Sequence, residues 1–217
     1  QPTDREVSGM EHSVIAAVGC VIMASGRAVR CGSNKLLADF GSAPLIVRAL
    51  DVTETPALAA RVVVTRSPEV AELACKAGVK TILHSLPGRN DTVRLGLEAL
   101  LSELPGLAGC IFLPGDQPLL RKESLEAMVR DLSALGEKER AILRLGFRAE
   151  DGTERLGSPV LFGSRYFGAL CSLPEGKGGG VVIRRHPESV RAVYAARQEE
   201  LEDADTVEEL ARLRKLL

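Results

Sequence analysis

Apolar residues along this chain fall into short runs of strand length that alternate with stretches of helical spacing. Residues 18–23, 61–65, 79–83 and 109–113 are compact and aliphatic, and each is expected to be a strand. Helices are expected after the turn at residues 41–44 through Leu50, from Pro68 to about Lys76, over 92–104 and over 124–135. Ser67-Pro68-Glu69 reads as an N-cap followed by proline at the first helical position, and Gly78 as that helix's stop. Asn90 or Asp91 is expected to cap the helix at 92. In the helix at 124–135, Leu125, Met128, Val129 and Leu132 mark one apolar face. From about Lys138 the pattern is less regular. Short strands are expected at 141–145, 157–162 and 189–193, helices at 164–170 and 181–185, and a closing helix at 206–217. Alternating strands and helices with short connections predict an open, mostly parallel sheet.

Neither repeats nor a linker interrupt the 217 residues, so a single domain is expected over 14–217, after a flexible polar extension at 1–13. A hydrophobic content of 45% supports a large core, and the net charge of −1 speaks against nucleic acid as a partner. No apolar run reaches membrane-spanning length, so no membrane association is expected. Cys20, Cys31, Cys75, Cys110 and Cys171 are far apart and lack a C-x-x-C pair, which suits buried thiols in a reducing cytoplasm.

The chemistry is expected to begin where the first strand ends. The strand ends at Met23, itself a candidate binding residue, and Ala24-Ser25-Gly26 follows as a run of small residues that lets backbone N–H groups approach a phosphate. Arg27, Arg30 and Lys35 add cations to the same loop, with Gly32 between the last two. An ordinary strand-to-helix turn with basic surface residues would look similar. The loop is neither a G-x-x-x-x-G-K-[ST] nor a G-x-G-x-x-G motif.

A second candidate is P-G-D-Q-P at 114–118, past another strand end. In open α/β sheets ligands bind outside the carboxyl ends of the strands, which puts Asp116 on the same crevice as the first loop. One carboxylate together with substrate phosphates suits Mg²⁺, whereas a turn aspartate capping the next helix is the plain alternative. The D-A-D-T run at 203–206 offers Asp205 as a second metal ligand, with Asp203 an open alternative and N-capping of the last helix the plain reading. Arg89, Asn90, Asp91 and Thr92 lie past a further strand end and could meet a base or ribose. Lys177 sits in a glycine-rich turn and could meet an anionic acceptor. None of His12, His84 and His186 belongs to a nucleophilic pattern, no Cys/His zinc spacing occurs, and no G-x-S-x-G elbow is present.

Taken in order, these elements resemble a known family. I-M-A-S-G-R-A-V-R-C-G-S-N-K-L-L at 22–37 resembles L-A-A-G-x-S-x-R-M-G-x-x-K of the nucleotidyltransferases similar to molybdenum cofactor cytidylyltransferase and guanylyltransferase. G-R-N-D-T-V-R-L-G-L at 88–97 resembles that family's G-x-x-S-S-L-x-x-G-L, and 114–118 its G-D-x-P metal motif. G-S-P-V-L-F at 157–162 and D-A-D-T-V-E-E-L at 203–210 resemble its later strand and its D-I-D-T-P-E-D-L ending.

The resemblance implies an α/β, Rossmann-like three-layer αβα sandwich of the nucleotide-diphospho-sugar transferase type. It also implies Mg²⁺-dependent transfer of a nucleotidyl group from a nucleoside triphosphate. By position, the loop at 24–35 would hold the triphosphate and face the base, Arg30 and Lys35 would neutralise charge at the α-phosphate, and Asp116 would coordinate Mg²⁺. Ala24-Ser25 sits nearer the A-A-G of cytidylyl members than the G-G of guanylyl members, so CTP is the expected donor and GTP the alternative. The acceptor would be molybdopterin, with a sugar or alditol phosphate as the alternative and a molybdoenzyme or its chaperone as a protein partner. The family's L-x-G-D-x-G-x-R element stands here as L-P-E-G-K-G-G-G at 173–180 without its aspartate and arginine, which leaves the acceptor open. A non-catalytic nucleotide- or cofactor-binding module is the reading outside enzymology.

Overall fold

A computed structural model describes residues 15–26 and 34–217. Arg27, Arg30, Cys31 and Gly32 of the basic loop, and the N-terminal extension, lie outside the described residues.

Strands β1 (Val18–Ala24), β4 (Ala60–Thr65), β5 (Lys80–Leu83) and β6 (Gly109–Pro114) form the parallel half of a seven-stranded sheet. β7 (Ile142–Arg148), β8 (Glu154–Gly163) and β9 (Val190–Tyr194) complete it in the order β5-β4-β1-β6-β8-β7-β9. Every neighbouring pair is parallel except those of β8, which runs antiparallel to both β6 and β7. β2 (Asp39–Phe40) and β3 (Ala43–Pro44) make a separate small hairpin.

The central strands are apolar throughout because both faces are covered. On one face Cys20, Ile22, Val63, Ile111, Leu113 and Leu161 pack with α1 (Leu45–Val52), α2 (Pro68–Lys76), α4 (Lys122–Ser133) and α7 (Val207–Arg214). On the other, Val21, Val62, Val64, Phe112, Val160 and Phe162 pack with α3 (Arg89–Glu103), α5 (Phe167–Cys171) and α6 (Gly180–Arg185). The expected three-layer, mostly parallel α/β architecture is the one observed. Cys20 and Cys110 are buried, and burial pushes the Cys20 thiol up to about 12, whereas Cys75 is exposed. Among the described residues no helix is long and apolar enough to cross a membrane.

Two local differences from the sequence reading matter for the site. α3 begins at Arg89, three residues early, so Asn90 and Asp91 lie within its first turn instead of capping it from outside. The cause is one half of a capping box, in which the Gly88 N–H donates to Asp91 Oδ2 at 3.0 Å and pulls the start of the helix back. The second difference is that β7 and β8 form a longer hairpin than expected, turned by Asp151-Gly152 with Gly152 at φ +84°. That D-G pair was the local signal for it.

α3 lies so close to the sheet that a Cβ on Gly96 would stand 2.4 Å from Val21 Cγ1. This close approach brings the first turn of α3 to the carboxyl edge of the sheet.

Candidate active site

The carboxyl ends of the parallel strands open onto a cleft of about 830 Å³. The loops at that edge follow the order of the strands. His84 follows β5, Arg66 follows β4, Ser25 follows β1 and Asp116 follows β6, each strand roughly 5 Å from the next. Beyond β6 the cleft continues over Ser158, Val160 and Phe162 of β8 and Arg144 of β7.

Lys35 bridges two aspartates of the cleft. Its Nζ donates to Asp116 Oδ2 at 2.5 Å and to Asp205 Oδ1 at 2.7 Å. Desolvation works against the ammonium, but the two hydrogen bonds and the charges of Asp116 and Asp205 outweigh it and raise its pKa above the ordinary lysine value. Asp203 lines the same cleft. Desolvation there, followed by repulsion from Asp116 and Asp205, pushes its carboxyl up to about 6.

These three aspartates meet because the C-terminal segment returns across the sheet edge. Ala204 N–H donates to the main-chain oxygen of Asp116 at 2.9 Å. Upstream, Glu200 is buried and accepts from Ser124 Oγ at 2.5 Å, Arg121 N at 3.2 Å and Arg197 N at 3.3 Å, which moors the segment to the start of α4. Thr206 caps α7 reciprocally with Glu209, leaving the side chains of Asp203 and Asp205 on the cleft.

Loops 23–26 and 114–118 are also tied together. Gly115 N–H donates to Met23 O at 3.0 Å, and a Cβ on Gly115 would lie 3.2 Å from that oxygen, so the close approach favours glycine. Ala24 O accepts from Thr65 Oγ1 at 3.0 Å. Ser25 is fixed on three sides. Its hydroxyl donates to Val64 O at 3.1 Å and pairs with His84 Nε2 at 2.8 Å, while its carbonyl accepts from the Arg66 guanidinium. Because His84 Nδ1 accepts from Leu86 N at 3.2 Å, the neutral ring carries its proton on Nε2 and donates it to Ser25.

Met23, Ser25, Gly26, Thr92, Asp116 and Asp205 therefore share one cleft, and Lys35 bonds its two aspartates. Asn90 and Asp91 are at its rim with their oxygens engaged in loop structure. Asn90 Oδ1 accepts from Gly176 N at 2.8 Å, and Asp91 accepts from Gly88 N and faces Arg94 at 3.4 Å. Among the described residues no three His, Cys, Asp or Glu side chains form a ready-made metal cage. The Lys35 ammonium sits among carboxylates where a cation is stabilised, and in that respect the donor set fits a divalent ion.

Sequence reasoning passed over His84, Arg66, Arg144 and Glu200. Only His84 and Arg66 had a local signal, their position just past a strand end. Glu200 acts through contacts with residues more than 70 positions away.

His84 carries a pH prediction. Desolvation and the neighbouring Arg66 charge lower its pKa, with Asp91 opposing and Arg94 assisting. The unfolded chain takes up this proton near pH 6.5, above the native pKa. The contribution of this group to stability is thus complete above about pH 6.5 and is lost as pH falls through the lowered native value. Urea midpoints of the wild type should fall more steeply between about pH 6.5 and 5 than those of His84→Asn. Parallel curves would contradict the assignment.

The family pattern described as MobA-like NTP transferase domain matches residues 20–190. Among curated proteins, the 3-deoxy-manno-octulosonate cytidylyltransferase of Polynucleobacter asymbioticus is 29% identical over 108 residues, covering 48% of this chain and 42% of that protein. The match spans less than half the length of such relatives. In fold the chain is similar to CMP:2-keto-3-deoxy-manno-octonic acid synthetase complexed with CTP, with TM-score 0.71 and 16% identity over 93% of this chain and 98% of that one. It is also similar to the Rv0371C complex with manganese from Mycobacterium tuberculosis H37Rv, with TM-score 0.67 and 20% identity over 93% of this chain and 100% of that one. These likenesses show the fold to be that of the nucleotide-diphospho-sugar transferases.

Proposed function

The chain belongs to the MobA-like NTP transferase family, and from that premise we propose that it transfers CMP from CTP to a phosphorylated acceptor with release of pyrophosphate. One observation carries the reading. A lysine from the loop after β1 meets two aspartates, from the loop after β6 and from the C-terminal segment, in the cleft at the strand ends.

An acceptor phosphate oxygen attacks the α-phosphorus of the donor, the new P–O bond forms, and the bond to the pyrophosphate leaving group breaks. Such chemistry needs alignment and charge neutralisation more than covalent catalysis. Lys35 neutralises the α-phosphate once it turns from the carboxylates toward the substrate. Arg30, outside the described residues, is assigned the same task from the sequence motif. Asp116 and Asp205 would hold Mg²⁺, which when bound would supply charge stabilisation for the polyphosphate. Main-chain groups of Met23, Ala24, Ser25 and Gly26, with Arg27, receive the donor, and Asn90, Asp91 and Thr92 border its base and ribose. The curated relatives are cytidylyltransferases by name, and the manganese complex of a fold neighbour is consistent with a divalent ion.

The sequence motifs favour molybdopterin as the acceptor, with delivery of the product to a molybdoenzyme or its chaperone. A sugar or alditol phosphate, or GTP as donor, keeps the same chemistry. The deciding experiment follows pyrophosphate release from CTP, GTP, ATP and UTP separately, with Mg²⁺ and molybdopterin. Release with CTP supports the full reading, and release with another nucleotide replaces the donor. Activity only with sugar or alditol phosphates replaces the acceptor, and silence with every pair refutes the proposal.

A further inference from the structure

The half of the cleft beyond β6 holds a cation that the transfer reading has not used. Arg144 lies on β7 between Leu143 and Leu145, which point into the opposite core, so its side chain emerges on the cleft face with Val160 and Phe162. Its Nη2 donates to Leu156 O at 3.2 Å and its Nε to Gly157 O at 3.4 Å. These two carbonyls hold one side of the guanidinium and leave the remainder of its five N–H donors unassigned. Among the described residues no carboxylate lies within ion-pairing distance of it. It is half-buried, and that burial depresses its pKa.

A half-buried guanidinium without a counter-ion is costly unless an anion completes it. The surroundings describe what that anion belongs to. Val160 and Phe162 form an apolar floor beside Arg144. The glycine turn comes down over that floor, since a Cβ on Gly179 would meet the Phe162 ring at 2.9 Å. Lys177 and Arg184 line the cleft from the same turn and the helix after it. The acids of the cleft, Asp116, Asp203 and Asp205, come from the loop after β6 and from the C-terminal segment, and the parts of β7 and β8 that line it carry none, Glu154 at the start of β8 being paired with Arg148.

We propose that Arg144 is an acceptor-binding residue: its guanidinium receives a compact oxyanion, phosphate or carboxylate, of an acceptor whose less polar body rests on Val160 and Phe162. This rests on the transfer reading for the word acceptor, and it assigns to β7 and β8 the selectivity that the altered glycine turn left open. A planar fork favours a bidentate oxyanion, so lysine is an incomplete substitute.

The test titrates inorganic phosphate, and separately acetate, into wild type, Arg144→Lys and Arg144→Gln by calorimetry. Each is titrated with and without saturating Mg²⁺ and cytidine 5′-(α,β-methylene)triphosphate, and circular dichroism confirms that each variant folds. With the analogue filling the donor half, the wild type should bind one oxyanion. Arg144→Gln should bind it roughly ten- to a hundredfold more weakly and Arg144→Lys by a smaller factor, with analogue affinity unchanged in all three. Arg144-dependent binding of acetate but not phosphate identifies a carboxylate acceptor, and the converse a phosphate. Equal oxyanion affinity in all three proteins, or none in the wild type, overturns the proposal. If the analogue fails to bind, the donor reading falls, and the titrations without it still decide the role of Arg144. Should Arg144→Gln not fold, the comparison of wild type with Arg144→Lys decides.

Discussion

Asp116→Ala is expected to lower kcat for pyrophosphate release by about a hundred- to a thousandfold or more, the scale on which pre-placed charge stabilisation contributes to such reactions. The fold should survive. The contact that docks the C-terminal segment uses the main-chain oxygen of Asp116, bonded to Ala204 N at 2.9 Å, and the substitution leaves it in place. Lys35 keeps Asp205 as a partner, and Asp203 loses one of the two like charges that raise its pKa. A partly exposed ion pair of this kind is worth about 1 kcal/mol or less, so the thermal midpoint should move little. The measurement pairs turnover with CTP against a melting curve. A variant that is inactive but also unfolded would leave the loss of activity structural in origin, so Asp116→Asn, which keeps the shape, is assayed beside it. Full activity in either folded variant refutes the role of Asp116.

The parts of this site that were legible in the sequence are those carried by contiguous residues at strand ends. The apolar run at 18–23 announces β1, and the residues that follow it must leave the sheet at its carboxyl edge; the same holds for 109–113 and Asp116. Local composition could also announce the alternation of layers, because a strand buried on both faces reads as an unbroken apolar run. What the sequence leaves open depends on long-range placement. Whether the aspartates at 203 and 205 cap a helix or face the cleft is decided by Glu200, whose partners Arg121 and Ser124 lie far away in the chain. Thr206 supplies the cap, which releases both aspartates toward Lys35 and Asp116. His84 was passed over because its partner Ser25 lies 59 positions away, and the contact appears only when the sheet brings the ends of β5 and β1 to one edge. Asn90 and Asp91 show the opposite case, in which residues well suited by type to meet a ribose have their side-chain oxygens engaged by Gly176 and Gly88.

Lys35→Met should separate the two jobs proposed for the lysine. In this structure its ammonium holds Asp116 and Asp205 together, and its charge also acts on Asp203 in the same cleft. Replacing it with an apolar side chain of similar length removes the cation and leaves the carboxylates. On the proposed role, turnover with CTP should fall about a hundred- to a thousandfold, because the charge assigned to the α-phosphate is gone. Divalent-ion affinity without nucleotide should move the other way and tighten by about tenfold or more, since the ammonium no longer competes for the same oxygens. Free Mn²⁺ measured by electron paramagnetic resonance during titration reads this directly. The thermal midpoint should agree with it, falling in Lys35→Met without a divalent ion and recovering on addition of Mn²⁺ by more than in the wild type. Unchanged or weaker Mn²⁺ binding would mean that Asp116 and Asp205 do not form the metal site, even if turnover is lost. Tightened Mn²⁺ binding together with lost turnover is the combination expected of a lysine that occupies the cation's place before substrate arrives and faces the phosphate afterwards.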